Sequence, residues 1–247
     1  NINLPFKEWF GLTVSNTMYN YLLPARGGIA LRAMYLKQNY KFPYSQYISF
    51  TGGTYILNLF NAAFLASVLS IVFWLNGKLE NITFLYISLV LLLGIIGVLT
   101  ALYKFNPERI PEKNKVFRSV KNAATGLKQF KRYPKKVRNL IFIQLGFILA
   151  ISLRLFVSYY VLGIHTFYPK LILINALVAF SMVFSVTPGN IGIKEGIIGL
   201  SSSLLGISAD QALLGAVLDR IIAIIVVFGL GLVFSRMLLK EVKLNKN

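Results

Sequence analysis

Two short segments of the chain combine proline, glycine and charge in the same order. Each reads Pro, three residues, Gly-Ile and then a charged side chain two or three positions further on; the segments are residues 24–32 and 188–195. The first carries Arg26 and Arg32, and the second carries Glu195. Proline and glycine interrupt helices, and ionisable side chains are costly inside a membrane. Both surrounding stretches are apolar, so the repeated combination indicates a functional site.

The first segment has the chemistry of an anion-binding site. Pro24 ends one helix, Gly28 lets the backbone approach a ligand, and a new helix then begins with free N–H groups. The geometry of an arginine guanidinium matches that of a phosphate group, and this segment supplies Arg26 and Arg32. We therefore expect the first segment to hold a lipid phosphate.

The second segment interrupts its helix at Pro188 and Gly189 and starts a new helix near Gly192. An unpaired acid at the centre of a bilayer costs about 2.5–3.5 kcal/mol, so Glu195 requires a cationic partner, a bound cation or a proton. The candidate partners are Lys194, Arg26, Arg32, Arg154 and Arg220. Glu195 could hold an amine head group, take up a proton during transport, or brace the two segments as a structural ion pair.

Three further charges lie inside apolar stretches. Asp219 and Arg220 lie about 15 Å into a predicted helix, at 1.5 Å per residue. Neighbouring helical residues point in different directions, so these two side chains do not pair with each other. We expect each to have a partner inside the bundle, with Glu195 as a natural partner for Arg220. Arg154 either reaches the outer head groups or joins the site.

The elements that must position these residues are apolar helices. The sequence is 56% hydrophobic and only 14% charged, whereas soluble domains carry about 25% charged residues. We therefore predict an all-α integral membrane protein. Four segments reach the length of about 20 apolar residues that a spanning helix needs, namely 46–74, 82–103, 139–162 and 209–235. Two further apolar regions, 8–37 and 171–206, contain the Pro/Gly segments.

The composition also argues against several kinds of site. The chain has no cysteine and one histidine, His165, which makes a thiolate or histidine metal site improbable and removes the cysteine nucleophile. No paired-carboxylate, phosphate-loop or zinc pattern is present. We expect no metal, no cofactor and no catalytic residue.

Positive charge is concentrated between the second and third predicted spans. Residues 104–138 contain twelve Lys and Arg against Glu108 and Glu112, which is typical of a cytoplasmic membrane loop. Attraction to anionic lipid head groups is compatible with this interpretation, and nucleic-acid binding is not expected. Apolar residues at helical spacing over 113–131 predict an amphipathic helix at the membrane surface.

With this loop and the C-terminal tail in the cytoplasm, region 171–206 begins and ends outside. Region 8–37 begins and ends inside if Lys7 is cytoplasmic. The sequence then predicts two re-entrant hairpins of opposite polarity in one domain over 1–247, as an inverted repeat of about 8–103 and 139–236. If residues 8–23 instead span fully, the repeat remains but the first hairpin does not.

These motifs resemble those of the transmembrane region of lysylphosphatidylglycerol synthases, a family of flippase-like membrane domains. The resemblance covers essentially the whole chain. The residues that match the family's signatures are Asn20, Pro24, Arg26, Gly28, Arg32, Pro188, Gly189, Gly192, Glu195 and Arg220.

Two positions depart from the family pattern. The family often has Gly-Glu where this chain has Gly28-Ile29, and Asn190 replaces the second glycine of a Pro-Gly-Gly run. The missing acid favours a plainly anionic lipid over a lysyl-lipid. Family members also have additional membrane helices before the first motif, so we expect the full-length protein to have helices that this sequence lacks.

The resemblance implies a lipid flippase or transporter of the cell membrane. It would move an anionic phospholipid or polyprenyl-phosphate-linked lipid between leaflets, with the ten matching residues binding the lipid and Glu195 and Arg220 as a coupling pair. Asp219 and Arg154 are further candidates for coupling or ion pairing. Two alternatives remain: the membrane-embedded part of a lipid head-group transferase acting in aminoacyl or glycosyl transfer, and a scaffold for a soluble lipid-modifying enzyme. In the synthases the aminoacyl-transfer domain is separate and soluble, so we expect this domain not to be an enzyme.

Overall fold

The fold was obtained as a computed structural model, and all of its regular structure is helical in the part of the chain that it describes. That part comprises residues 4–104, 133–184 and 186–244, with Lys121, residues 124–126, Lys128 and Phe130. The α-helices are α1 (Phe6–Leu22), α2 (Gly27–Tyr40), α3 (Tyr44–Leu75), α4 (Thr83–Lys104), α5 (Pro134–Val161), α6 (Tyr168–Val178), α7 (Ile193–Ser203) and α8 (Ala209–Leu244). Short 3₁₀ turns occupy Pro24–Arg26, Ala179–Phe184 and Pro188–Asn190.

Four of these helices, α3, α4, α5 and α8, are long and apolar enough to cross a membrane. They coincide with the four predicted spans, and the all-α membrane class is confirmed. Each contains an uninterrupted apolar stretch, and many of their large apolar side chains are exposed on the outside of the bundle. A lipid environment accommodates such exposure, since every backbone polar group of a long helix is satisfied internally. The chain is a multi-pass membrane protein.

The two Pro/Gly regions each fold into a pair of short helices. The lengths of α1 and α2 are 17 and 14 residues, which correspond to about 25 and 21 Å at 1.5 Å per residue. The helices α6 and α7 have 11 residues each, or about 16 Å. A hydrocarbon core is about 30 Å thick, so none of the four matches a full span by itself.

Both pairs are antiparallel hairpins. In the first, the Tyr40 hydroxyl at the end of α2 donates a hydrogen bond to Glu8 at the start of α1, at 2.5 Å. In the second, the Lys170 ammonium near the start of α6 donates to the Leu205 carbonyl just beyond α7, at 2.8 Å. The hairpin fold of each region is therefore present in the structure, and their re-entry into a membrane stays a prediction.

The hairpins enter the bundle from opposite ends of α8. The open end of the first packs on the C-terminal part of α8, where Phe10 contacts Phe234 edge to face at 5.2 Å. The open end of the second lies beside the start of α8 and the α3–α4 connection, where Lys170 also pairs with Glu80 at 2.7 Å. This opposite polarity matches the predicted arrangement. The assignment of the two ends to the inside and outside of a cell stays a prediction, as does the inverted repeat.

The apolar core surrounds α6. This helix carries apolar side chains on every face, which is the pattern of a buried helix, and Leu171, Leu173 and Ile174 are fully buried in it. A close approach between α5 and α8 completes the core: a Cβ at Gly215 would collide with the Tyr159 ring. The second hairpin is thus anchored by its first helix.

The basic region 104–138 packs on the start of α3 through the residues that the structure describes. A Cβ at Gly126 would collide with the Ser49 carbonyl oxygen, and Phe130 contacts Phe50 edge to face at 6.0 Å. Most of the predicted amphipathic helix at 113–131 lies outside the described residues. Its described part is helical and lies against the end of α3 that adjoins α2.

Candidate functional site

The tips of the two hairpins touch each other. The backbone N–H of Ala25 in the first tip donates to the Val186 carbonyl before the second, at 3.4 Å. Gly189 of the second tip packs on Tyr21 at the end of α1, and a Cβ at Gly189 would lie 2.5 Å from the Tyr21 ring. Since the hairpins enter from opposite ends, this contact lies between the two ends of the bundle. We call it the tip centre, comprising residues 24–28 and 186–195 with the side chains that contact them.

The first tip has an unusual backbone. Ala25 and Arg26, directly after Pro24, both adopt left-handed conformations with φ of 50° and 56°. Such conformations cost non-glycine residues free energy and persist where the surroundings impose them. They turn the chain from α1 into α2, and Arg26 then lies over the Tyr55 ring of α3, with its guanidinium carbon 5.2 Å from the ring centroid.

Asn20 and Gly28 lock the first hairpin. The Asn20 side-chain oxygen accepts a hydrogen bond from the Gly28 N–H at 3.0 Å. A Cβ at Gly28 would collide with the Asn16 carbonyl oxygen, so only glycine permits this approach of α2 to α1. The sequence predicts a free N–H at this helix start, but Asn20 occupies it because a buried helix start requires an acceptor.

The second tip turns on three residues with positive φ: Gly189 at 58°, Asn190 at 58° and Gly192 at 84°. Asparagine tolerates the left-handed region better than other non-glycine residues, and the Asn190 side chain donates to the Ser181 hydroxyl at 2.6 Å. This explains how a non-glycine residue is accommodated at position 190. The Gly192 N–H is also occupied, since it donates to Glu195 at 2.9 Å.

Glu195 finds its cationic partner in Arg220. Their side chains approach to 2.7 Å, and both are nearly buried, with 14% and 11% of the side-chain surface exposed. The same guanidinium donates to the Gly189 and Asn190 carbonyls at 3.2 and 3.4 Å. Arg220 therefore joins α8 to the second tip, while its Nε and Nη1 atoms are buried without a hydrogen-bond partner in the described part of the chain.

Asp219, which precedes Arg220 on α8, pairs with two other cations. Arg154 of α5 binds it with two bonds of 2.6 and 2.9 Å, and Lys194 of α7 approaches it to 3.0 Å. Asp219 is 1% exposed. Arg154 thus pairs within the bundle, although 38% of its side chain remains exposed.

The structure brings most of the sequence-predicted residues to the tip centre, with one exception. Arg26, Glu195 and Arg220 lie on or against the tips, and Pro24 and Pro188 begin them. Arg32 lies about one turn of α2 beyond Gly28, and both residues line a cavity between α1, α2 and α8.

Sequence reasoning missed three contributors. Tyr21 and Tyr55 carried no signal, since aromatic residues are common in membrane helices. Lys194 was considered only as a partner for Glu195, and the structure places it on Asp219. Adjacent side chains on a helix point in different directions, so Lys194 and Glu195 do not face each other. That difference could have indicated a different partner for Lys194.

The tip centre is cationic overall. It holds three cations, Arg26, Lys194 and Arg220, and two acids, Glu195 and Asp219. Arg154 adds a further cation beside Asp219. Electrostatic balance at a buried site favours an additional anion. The unpartnered Nε and Nη1 atoms of Arg220 are donors of the type that binds phosphate.

Comparison with known protein families matches residues 1–231 to the family described as lysylphosphatidylglycerol synthase TM region. Comparison with curated proteins and with solved structures finds no match. The match covers both hairpins, the helices α3, α4 and α5, the part of α8 up to residue 231, and every residue of the tip centre.

Proposed function

Because the chain belongs to the family of lysylphosphatidylglycerol synthase transmembrane regions, we propose that it moves an anionic, phosphate-bearing lipid between the leaflets of a membrane. Its family and its long apolar helices make it a lipid-related membrane domain. The observation that carries the finer proposal is the meeting of two hairpin tips that enter from opposite ends of α8.

The tips form the barrier that the lipid head group must pass. Irregular backbone at membrane depth is tolerated only where protein buries it or where it lines a polar cavity. Transporters place such broken helices at the midplane, where they form the substrate site. The first tip connects to one end of the bundle and the second to the other, so displacement of either tip would expose the centre to one side.

Arg220 is the residue that would bind the lipid phosphate as it passes. It already interacts with Glu195 through one nitrogen, and two further guanidinium nitrogens have no described partner. A phosphate would take up these donors and compete with Glu195 for the charge. Release of Glu195 would then free the Gly192 N–H that it caps, loosening the start of α7. Binding is thereby coupled to movement of the second tip.

Transport is favoured over head-group transfer by the state of the two acids. A transferase needs a general base, and Glu195 and Asp219 are the acids at the tip centre. Each is held by at least one cation, and a paired carboxylate is a poor proton acceptor. We also propose that region 104–138 and the C-terminal tail lie on the cytoplasmic side of the cell membrane. A soluble lipid-modifying enzyme could supply the cargo on that side.

The proposal is tested by leaflet exchange in reconstituted vesicles. Fluorescent phosphatidylglycerol starts in the inner leaflet, and its arrival in the outer leaflet is measured as the loss of fluorescence to an external quencher. We expect Glu195→Gln and Arg26→Ala to slow exchange at least tenfold, because each removes a charge from the tip centre. The matched control is Glu80→Gln, which removes an acid of the same type from an ion pair at the end of the bundle and should retain the original rate. Equal rates for Glu195→Gln and the unsubstituted protein would refute the assignment.

A further inference from the structure

Two neighbouring ion pairs join the start of α7 to α8. Lys194 approaches Asp219 to 3.0 Å. The next residue of α7, Glu195, approaches the next residue of α8, Arg220, to 2.7 Å. The two helices thus present complementary charges in the same order, and we call these two pairs the α7 clasp.

Apolar packing holds the rest of α7 but not its first turn. The buried residues of this helix are Ile198, Gly199, Ser201 and Ser202, which all lie beyond the first turn. Gly192, directly before the helix, has a positive φ of 84°, and a Cβ there would meet no atom within 4 Å. Glycine adopts such a conformation freely. The first turn is therefore held by the clasp and can pivot at Gly192 when the clasp opens.

Opening of the clasp requires new counter-charges on α8. When a buried ion pair loses one partner, the other is left uncompensated, which destabilises a protein strongly. If the start of α7 moves away, Asp219 and Arg220 remain behind. Under the proposed function, a cargo phosphate compensates Arg220. A cation for Asp219 must come from another helix.

Arg154 of α5 supplies that cation. Its guanidinium binds both carboxylate oxygens of Asp219, at 2.6 and 2.9 Å. A bidentate arginine–carboxylate pair is among the stronger polar interactions in proteins, so Asp219 is neutralised without Lys194. Lys194 donates at 3.0 Å to Oδ2, the same oxygen that Arg154 Nη2 holds. The clasp can therefore open at Lys194 without leaving an uncompensated acid in the bundle.

We propose that Arg154 is a positioning residue for movement of the second tip, which retains Asp219 on α8 when Lys194 and the start of α7 swing away. Arg154 acts through Asp219, by making the contact of Lys194 with that acid dispensable. The inference rests on the proposed function, because it identifies what allows the second tip to leave α8 while a phosphate engages Arg220.

Opening of the clasp is measured apart from transport, as deuterium uptake by peptides that cover residues 193–203. The full chain is placed in lipid nanodiscs that contain phosphatidylglycerol, and uptake is followed by mass spectrometry. We expect Arg154→Gln to slow uptake at the start of α7 roughly tenfold, because Lys194 becomes the sole partner of a buried acid. If Arg154 served stability alone, its removal would loosen the bundle and speed uptake. The matched control is Arg138→Gln, which removes an exposed arginine from the same helix and should leave uptake unchanged.

Two further variants make the test independent of a general loss of stability. In Arg154→Gln combined with Asp219→Asn, Lys194 has lost the acid that holds it, so uptake at the start of α7 should be roughly tenfold faster than in Arg154→Gln. Arg154→Lys keeps a cation beside Asp219 but loses the bidentate geometry. Its uptake should therefore fall between those of Arg154→Gln and the unsubstituted protein.

Three results would overturn the inference: faster uptake in Arg154→Gln, equal uptake in Arg154→Gln and Arg138→Gln, or a double variant as slow as Arg154→Gln. Leaflet exchange in vesicles separates the inference from the proposed function. If Arg154→Gln slows uptake while Glu195→Gln moves lipid at the original rate, the assigned transport path is wrong and the clasp stands. If Glu195→Gln slows lipid movement while Arg154→Gln leaves uptake unchanged, the transport path stands and the role of Arg154 is refuted.

Discussion

Asp219 offers the strongest test of the buried charge arrangement, through Asp219→Asn. The side chain is 1% exposed and accepts two bonds from Arg154 and one from Lys194. Removal of one member of a buried ion pair costs about 3–5 kcal/mol, because it leaves an uncompensated charge. Since Arg154 is partly exposed and retains some hydration, we expect a loss near the lower end, about 3 kcal/mol. That is on the order of a hundredfold in the unfolding equilibrium.

The assay is equilibrium unfolding in mixed micelles, followed by far-ultraviolet circular dichroism. Asp210→Asn is the matched control: it makes the same chemical change on the same helix, at an exposed position in the first turn of α8. It should cost less than about 1 kcal/mol, the size of a helix-terminus effect. A second variant, Lys194→Gln, tests the cause.

In the double variant of Asp219 and Lys194, one cation disappears together with the acid. Its loss of stability should be smaller than the sum of the single losses by at least about 1 kcal/mol, as expected for groups in direct contact. Equal stability of Asp219→Asn and Asp210→Asn, or strict additivity in the double variant, would refute the view that Asp219 neutralises buried cations.

Two further predictions concern the backbone. Gly126→Ala should destabilise the protein by about 1–3 kcal/mol, because the added Cβ would be overpacked against the Ser49 carbonyl oxygen. The control, Gly146→Ala, lies at an open helical position and should be neutral or stabilising. Thermal unfolding measures both variants, and equal shifts in Tm would contradict the packing at Gly126. Ala25→Gly should stabilise the protein by about 0.5–1 kcal/mol, because glycine adopts the left-handed conformation without strain. Ala30→Gly, at an exposed position of α2, should destabilise it by about 1 kcal/mol. A loss of stability in both variants, measured in the same way, would show that the first tip is unstrained.

The sequence predicts the helices well because their causes are local. Runs of about 20 apolar residues specify the long spans, and the proline and glycine residues determine where the hairpins turn. The predicted region 171–206 contains α7 and most of α6, and region 8–37 contains most of α1 and α2. These features need no knowledge of distant contacts.

The site is less predictable because it depends on contacts between distant segments. Asp219 pairs with Arg154, 65 positions away, and several cations in the sequence satisfied the same electrostatic requirement. The occupation of helix-start N–H groups by Asn20 and Glu195 could not be distinguished from open anion sites by residue type alone. The separation of Arg32 from the tips follows from its place along α2, about one turn beyond Gly28.

No acid of the described part of the chain pairs with Arg32. Ile29 lies one turn before Arg32, and residues three apart lie on the same helix face, so an acid at this position would have been within reach of the guanidinium. Ile29 instead packs against the apolar cluster that includes Leu12 and Leu36.

Both acids at the second tip are paired with cations. Under the proposed function, an amine head group would therefore find no unpaired carboxylate at the tip centre, as far as the described residues define it. A phosphate would find two unpartnered guanidinium nitrogens there, on Arg220. The proposed cargo is accordingly an anionic lipid without an amine.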